Sequence, residues 1–237
     1  MSENIIECIG VYHKYGKKTI LSDINFSIAK GEVIGLLGPN GSGKTTLFYI
    51  LSGIMKPYRG QLLYKGQDII NMPLYMRARS GLVYLPQESS VFPDLTVENN
   101  IMVAIELFIK SKPERRQKLE KLLNLFSLEH VAKSQAIVLS GGERRKLEIA
   151  RCLVCNPSII LFDEPYAGID PISINEIKKV ILSLAKDGVS CFITDHNVDS
   201  TIEITDKVLI TYQSKILFEG PPKEALEHEE VKRFYLG

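Results

Sequence analysis

Val33-Ile34-Gly35-Leu36-Leu37-Gly38-Pro39-Asn40-Gly41-Ser42-Gly43-Lys44-Thr45-Thr46 joins a short apolar run to a glycine-rich loop that ends in a lysine and two threonines. A strand before the loop and a helix after it are the context that the pattern G-x-x-x-x-G-K-[ST] requires. In that context the loop's backbone amides cradle α- and β-phosphates, Lys44 reaches the β- and γ-phosphates, and Thr45 ligates Mg²⁺. A ligand-free glycine turn does not explain Lys44 followed by Thr45. Gly38, Pro39, Asn40, Gly41, Ser42, Gly43, Lys44, Thr45 and Thr46 are therefore the candidate phosphate-binding residues.

Outward from this stretch, further apolar runs at Leu82–Leu85, Ile159–Phe162 and Cys191–Ile193 read, like Val33–Leu37, as strands buried on both faces of a mostly parallel sheet. Helical patterns alternate with them. Ile174, Ile177, Ile181 and Leu184 recur at helical spacing, with Glu176, Lys178 and Lys179 expected to face away. The fold class is α/β. The first thirty residues and Gln61–Tyr64 read as extended segments with turn signals, predicting a small antiparallel β layer against the core. Between Gln87 and Asn156 the strand signal disappears and helices take over, one carrying Leu119, Leu122, Leu123 and Phe126 on a single face. Prolines in Leu85-Pro86-Gln87 and Asn156-Pro157 bound this stretch. The expected division is a core of residues 1–86 and 157–237 with an inserted helical subdomain, 87–156, all within one domain. Lys207 to Glu219 reads as a closing hairpin before two short helices.

Composition excludes some classes. The 237 residues hold 29 Lys and Arg against 28 Asp and Glu, so no overall basic field marks a nucleic-acid binder. Arg144-Arg145-Lys146 reads as a solvated helix face. Met1-Ser2-Glu3-Asn4 has no signal-peptide character. The longest apolar segment, Ile101 to Ile109, is broken by Glu106 and falls short of the ~20 residues that span a bilayer. The expectation is a soluble, cytoplasmic chain that reaches a membrane only through partners. Cys8, Cys152, Cys155 and Cys191 fit a reducing compartment; Cys152 and Cys155 have C-x-x-C spacing, but no second pair or nearby histidine completes a zinc site.

Leu139-Ser140-Gly141-Gly142-Glu143 carries a second anion grip. Ser140 and Glu143 stand at capping-box spacing, and Gly141 and Gly142 are expected to leave the first-turn amides unshielded. Asp163-Glu164 follows an apolar strand, so both carboxylates emerge at the sheet's carboxyl edge. Asp163 is the candidate Mg²⁺ carboxylate, and Glu164 the group that orients or deprotonates an attacking water. His196, after the strand Cys191–Ile193, reaches the same edge and is a candidate γ-phosphate contact. Gln87, after Leu82–Leu85, could bridge to Mg²⁺ or the water. Tyr15 could stack on adenine, with Tyr12 as its competitor.

Together these motifs resemble the nucleotide-binding subunits of ATP-binding cassette (ABC) transporters along essentially the whole chain. In that family's terms Tyr15 fits the adenine-stacking position, Gly38–Thr45 the Walker A loop, Gln87 the Q-loop and Leu139–Glu143 the signature. Asp163 and Glu164 fit the Walker B pair, Ala167-Gly168-Ile169-Asp170 the D-loop, and His196 the switch histidine. The resemblance implies a P-loop NTPase (RecA-like) core and a head-to-tail homodimer sandwiching two ATP molecules with Mg²⁺. Each ATP would lie between one subunit's Walker A loop and the other's Ser140 region. It also implies two integral-membrane partner subunits, no nucleic acid, no direct membrane insertion, and a place on the cytoplasmic face of the bacterial inner membrane.

Within the family, Asp163–Ser173, Thr194–Val198 and the ending Val231–Gly237 look most like the lipopolysaccharide-export ATPases, whose membrane partners would be LptF/LptG-like. Branched-chain amino-acid importer subunits compete; they tend to differ at the positions of Asp170 and Asp195. The loop Ser90-Val91-Phe92-Pro93-Asp94 departs from the exporters, which usually carry basic residues there. A soluble ATPase acting on DNA or ribosomes is the third reading. Against it, only 96 residues separate Lys44 from Ser140 (140 − 44), too few for a long coiled-coil arm.

Overall fold

Two long strands open the computed structural model, which describes residues 3–233. β1 (Asn4–Tyr15) and β2 (Lys18–Ala29) pair antiparallel through a tight turn at Gly16. β3 (Val33–Leu37) then leads through the glycine loop into α1 (Lys44–Ser52). β4 (Arg59–Tyr64) and β5 (Gln67–Asp68) return to the first layer, giving an antiparallel sheet in the order β2-β1-β4-β5. The expected antiparallel layer is thus present.

α2 (Leu74–Ser80) and β6 (Leu82–Leu85) follow. Next come three α-helices, with short 3-10 turns but no intervening strand: α3 (Val97–Glu106), α4 (Lys112–Leu125) and α5 (Gly141–Cys152). The chain re-enters the sheet as β7 (Ile159–Asp163), α6 (Pro171–Lys186), β8 (Ser190–Thr194) and the short α7 (Val198–Ile202). It closes with the hairpin β9 (Lys207–Tyr212) and β10 (Lys215–Gly220), then α8 (Pro222–Glu227) and α9 (Glu229–Val231). Phe234–Gly237, part of the exporter-like ending in the sequence, lie outside the described residues.

The second sheet has the order β10-β9-β3-β8-β7-β6, parallel except where β10 meets β9. All five positions of β3, β7 and β8 are buried, as continuous apolar runs require when both faces are covered. Because side chains alternate along a strand, Ile159 and Leu161 face one side and Ile160 and Phe162 the other. The first set packs with α1 and the antiparallel layer, where Phe192 stacks between Phe48 (5.0 Å) and Phe26 (5.6 Å). The second packs under α6 and the helices α3–α5 through Ile177, Ile181, Ile101 and Phe126. Emptying a site such as Phe192 by truncation to alanine would cost about 3–5 kcal/mol.

One expectation for α6 is corrected. Glu176 and Lys179 face solvent, but Lys178 is buried, and its ammonium pairs with Glu203 at the end of α7. A lysine's long apolar stem can lie along a core while its charge finds a partner at the rim. No described helix is long and apolar enough to cross a membrane, all four cysteines are free, and the described residues hold no metal-binding His/Cys/Asp/Glu cluster.

Candidate active site

The glycine loop is shaped by contacts that exclude side chains. Gly38 and Gly43 have φ of +149° and +104°; a Cβ would lie 2.3 Å from the Thr211 carbonyl oxygen in the first case and 2.8 Å from that of Ile20 in the second. Ser42 Oγ and Thr211 Oγ1 are 2.8 Å apart, and Thr211 in turn donates to the Leu37 carbonyl. The loop is therefore pinned to β9. α1 starts at Gly43 with no side-chain cap, whereas Thr96, Ser140 and Asp170 cap α3, α5 and α6. Uncapped amides at a helix N-terminus suit phosphate oxygens. Lys44 Nζ donates to the carbonyls of Gly38 (2.7 Å) and Pro39 (3.1 Å). Burial lowers its pKa, while Glu164 and Asp163 pull it back up.

A cleft of about 230 Å³ opens over this loop, lined by Asn40, Gly41, Gly43, Lys44, Thr45 and Thr46, with Lys18 and Ile20 at the side. Tyr15, half exposed, borders it; its hydroxyl donates to Met55 Sδ, and its ring meets His13 edge-on. Tyr12 instead bonds Thr19 and packs on Tyr58, away from the cleft's lining.

The acidic pair divides at the carboxyl edge. Asp163 ends β7 at 4 % exposure, and the Tyr84 hydroxyl donates to its Oδ2 over 2.8 Å. Burial raises this carboxyl's pKa and the Tyr84 bond opposes the rise. Glu164 follows at φ +47°, with its amide donating to the Thr194 carbonyl at 2.7 Å. A non-glycine residue there costs about 1–3 kcal/mol and persists only where its surroundings enforce it. Its carboxylate is held on both sides, by Gln87 Nε2 at 2.6 Å and by His196 Nε2 at 2.9 Å. Asp195, buried, accepts from the amides of Tyr166 and Asn197 and so shapes the turn that presents His196; burial raises its pKa.

Ser140 and Glu143 form the capping box anticipated from their spacing, and Glu143 also meets His130 at 3.1 Å. The Ser140 hydroxyl holds the Glu143 carboxyl below its ordinary value. The glycines, however, do more than leave amides bare. Gly142 is buried, and a Cβ there would lie 2.1 Å from Ser173 Oγ, so its missing side chain lets α5 meet α6. Arg144-Arg145-Lys146 is likewise not a solvated face. Arg145 is buried, with Nη1 on the Pro86 carbonyl (2.9 Å) and Glu148 (2.8 Å) and Nη2 on the Asp163 carbonyl (3.1 Å). Lys146 pairs with Glu176 across to α6. A helix that docks at the sheet edge must satisfy buried carbonyls there, and Arg145 does so.

A second cleft, about 200 Å³, is lined by Gln87, Ser89, Gly141, Arg144, Arg145 and Glu164, among others. Glu164 lines both clefts, His196 only the first and Gln87 only the second. The fold thus gathers Tyr15, the phosphate loop, Glu164 and His196. Ser140, Gly141, Gly142, Glu143 and Asp170 are not brought to that cleft within one chain. Asp170 caps α6, accepting from the amides of Ile172 and Ser173 at 3.0 Å. Tyr84 and Thr211 are candidate-site residues the sequence did not single out, and Arg145 is one that it assigned to a solvated face. The Arg145–Glu148 spacing on one helix and the two-residue strand period were the available signals. Phe92 is 43 % exposed beneath the Arg151 guanidinium, with its backbone held by Asn100.

A family model for ABC transporters matches residues 21–167. The chain belongs to the ABC transporter family. Its ABC relatives include the lipopolysaccharide export system ATP-binding protein LptB of Escherichia coli K12, 43 % identical over 94 % of this chain and 93 % of that one. LptB of Haemophilus influenzae is 41 % identical over 99 % and 98 %. A probable ABC transporter ATP-binding protein of Azorhizobium caulinodans is 42 % identical over 100 % and 84 %. Among solved ABC cassettes, the ADP conformation of MJ1267 superposes with a TM-score of 0.88 at 27 % identity, covering 99 % of both chains. The dimeric structure of MJ0796 does so with 0.82 at 25 % identity, covering 92 % of this chain and 98 % of that one. The chain is an ATP-hydrolysing ABC ATPase with the P-loop cassette fold, in a family whose cassettes bind nucleotide and dimerise.

Proposed function

We propose that this ATPase is the motor of a lipopolysaccharide exporter: it dimerises around two ATP molecules and drives extraction of lipopolysaccharide from the bacterial inner membrane toward the outer membrane. The carrying observation for the choice of system is 41–43 % identity to LptB proteins over at least 94 % of the chain. In this reading it sits on the cytoplasmic face of the inner membrane, bound to two integral-membrane subunits of the LptF/LptG kind. Residues 87–156 form the helical subdomain that moves with them, and Phe92 is its apolar contact.

For the chemistry, the supporting observation is Glu164 at a strained φ, held between Gln87 and His196 on the wall the two clefts share. Tyr15 stacks on adenine. Lys44 and the uncapped amides of α1 hold the phosphates. Buried Asp163 and exposed Thr45 offer the hard oxygen donors that suit Mg²⁺, and Gln87 is held beside Asp163's neighbour Glu164. Bound there, Mg²⁺ neutralises phosphate charge. Glu164 takes a proton from water as the water's oxygen bonds to the γ-phosphorus and the bond from that phosphorus to the bridging oxygen breaks, leaving ADP and phosphate; His196 steadies the γ-phosphate. Ser140, Gly141, Gly142 and the Glu143 cap, with Asp170, act on the partner copy's nucleotide. That placement fits their position away from the phosphate loop of their own chain.

Co-purification from detergent-solubilised membranes, with mass spectrometry of what accompanies the chain, tests the system. Paired exporter subunits are the expected result; permease subunits of an amino-acid importer would overturn the lipopolysaccharide assignment while leaving the ATPase intact.

A further inference from the structure

Tyr84 lies opposite Leu161 in the parallel ladder of β6 and β7. Residues two apart on a strand share a face, so Asp163 stands on the same face as Leu161, one step nearer the carboxyl edge. A tyrosine at position 84 spans that step, and its hydroxyl donates to Asp163 Oδ2 at 2.8 Å. Phenylalanine would fill the same space without making the bond. The ring is also packed by Tyr49 of α1, edge-on, with centroids 6.3 Å apart and planes at 88°. Tyr49 is four residues, about one helical turn, beyond Thr45. A single aromatic contact therefore ties the hydroxyl's position to the helix that carries Lys44 and Thr45. Among the described residues no other side chain donates to the Asp163 carboxylate. At 4 % exposure, that carboxylate relies on protein donors for its orientation.

We propose that Tyr84 is a positioning residue for the divalent cation of the nucleotide complex: its hydroxyl holds one oxygen of Asp163, so the carboxylate meets the cation in one orientation. This rests on the reading of Asp163 as the cation's carboxylate. Donors that orient a metal ligand from outside typically contribute roughly 10–100-fold to metal affinity. For a magnesium ion that keeps much of its water, the low end applies, about 10-fold.

The test uses full-length Tyr84→Phe and Asp163→Asn chains and a fluorescent ATP analogue, its affinity measured in saturating Mg²⁺ and again in EDTA. The ratio of the two affinities is the cation's contribution. Tyr84→Phe is expected to lower that ratio about 10-fold and to leave the EDTA affinity within a factor of two of wild type. A wild-type ratio in Tyr84→Phe beside a collapsed ratio in Asp163→Asn would overturn the role of Tyr84 and leave that of Asp163 standing. Equal loss in both media would also overturn it, marking a general packing role. A wild-type ratio in Asp163→Asn would remove the reading on which the proposal rests.

Discussion

Glu164 and Asp163 are adjacent in the chain, yet the fold gives them different surroundings. Asp163 is buried beside Tyr84, and Glu164 turns at φ +47° into the wall between the clefts. Their adjacency at a strand end was legible because it is a local pattern. The strained φ and the two groups on the Glu164 carboxylate were not, because Gln87 lies 77 residues away. Glu164→Gln retains the side chain's shape and a carbonyl for Gln87 to donate to, but has no base. It is expected to bind ATP normally and to release phosphate about 10²–10⁴-fold more slowly, as lost general-base catalysis implies. Turnover within twofold of wild type would remove Glu164 as the base. Tyr15 and Tyr12 show the same limit at one strand's end, where packing against Thr19 and Tyr58 decided which ring borders the cleft.

At the scale of elements, α5 is the helix whose contacts matter most. Gly142→Ala would drive a Cβ to 2.5 Å from Ser173 Cβ, a clash no rotamer of Ser173 relieves. It is expected to destabilise by about 1–3 kcal/mol, the usual cost of overpacking. Adding Ser173→Gly should recover most of that in urea unfolding; no recovery would place the strain elsewhere. Arg145→Ala strands the Glu148 carboxylate, 3 % exposed, without its cation. Breaking a buried pair in this way costs about 3–5 kcal/mol. The basic run 144–146 could not disclose this, since the carbonyls of Pro86 and Asp163 reach Arg145 only once α5 docks on the sheet edge.

The caps respond to pH with a definite sign. Glu143 is held below its ordinary value of 4.5 by the Ser140 hydroxyl, and Asp170 below 3.8 by Ser173. The stability they contribute is complete above those ordinary values and disappears as pH falls through the lower folded ones. Asp163 and Asp195, raised by burial, act oppositely and favour the folded state as pH falls. Glu143→Gln should therefore lower the urea midpoint at pH 7 and lose most of that deficit near pH 3. An equal deficit at both pH values would show that the cap does not depend on the charge.

For the whole molecule, the phosphate loop and the Ser140 helix open into different clefts of one chain, and in the proposed function a second copy bridges them. With ATP, Glu164→Gln is expected to sediment as a dimer. Ser140→Arg should bind ATP through its own loop and remain monomeric, and an ATP-dependent dimer of that variant would contradict the shared site. By itself the sequence determined the strand–loop–helix that grips phosphate, the buried strands, the capping box and the family. Each of these depends on spacing within one turn, one strand or one loop. Only the tertiary structure decided that Lys178 and Arg145 go inside, that Gly142 makes room for Ser173, and that Tyr84 holds Asp163. It also brought Gln87 and His196 to either side of Glu164. These are meetings between elements far apart in the chain, set by how the sheet edge and its helices pack, and no local period encodes them.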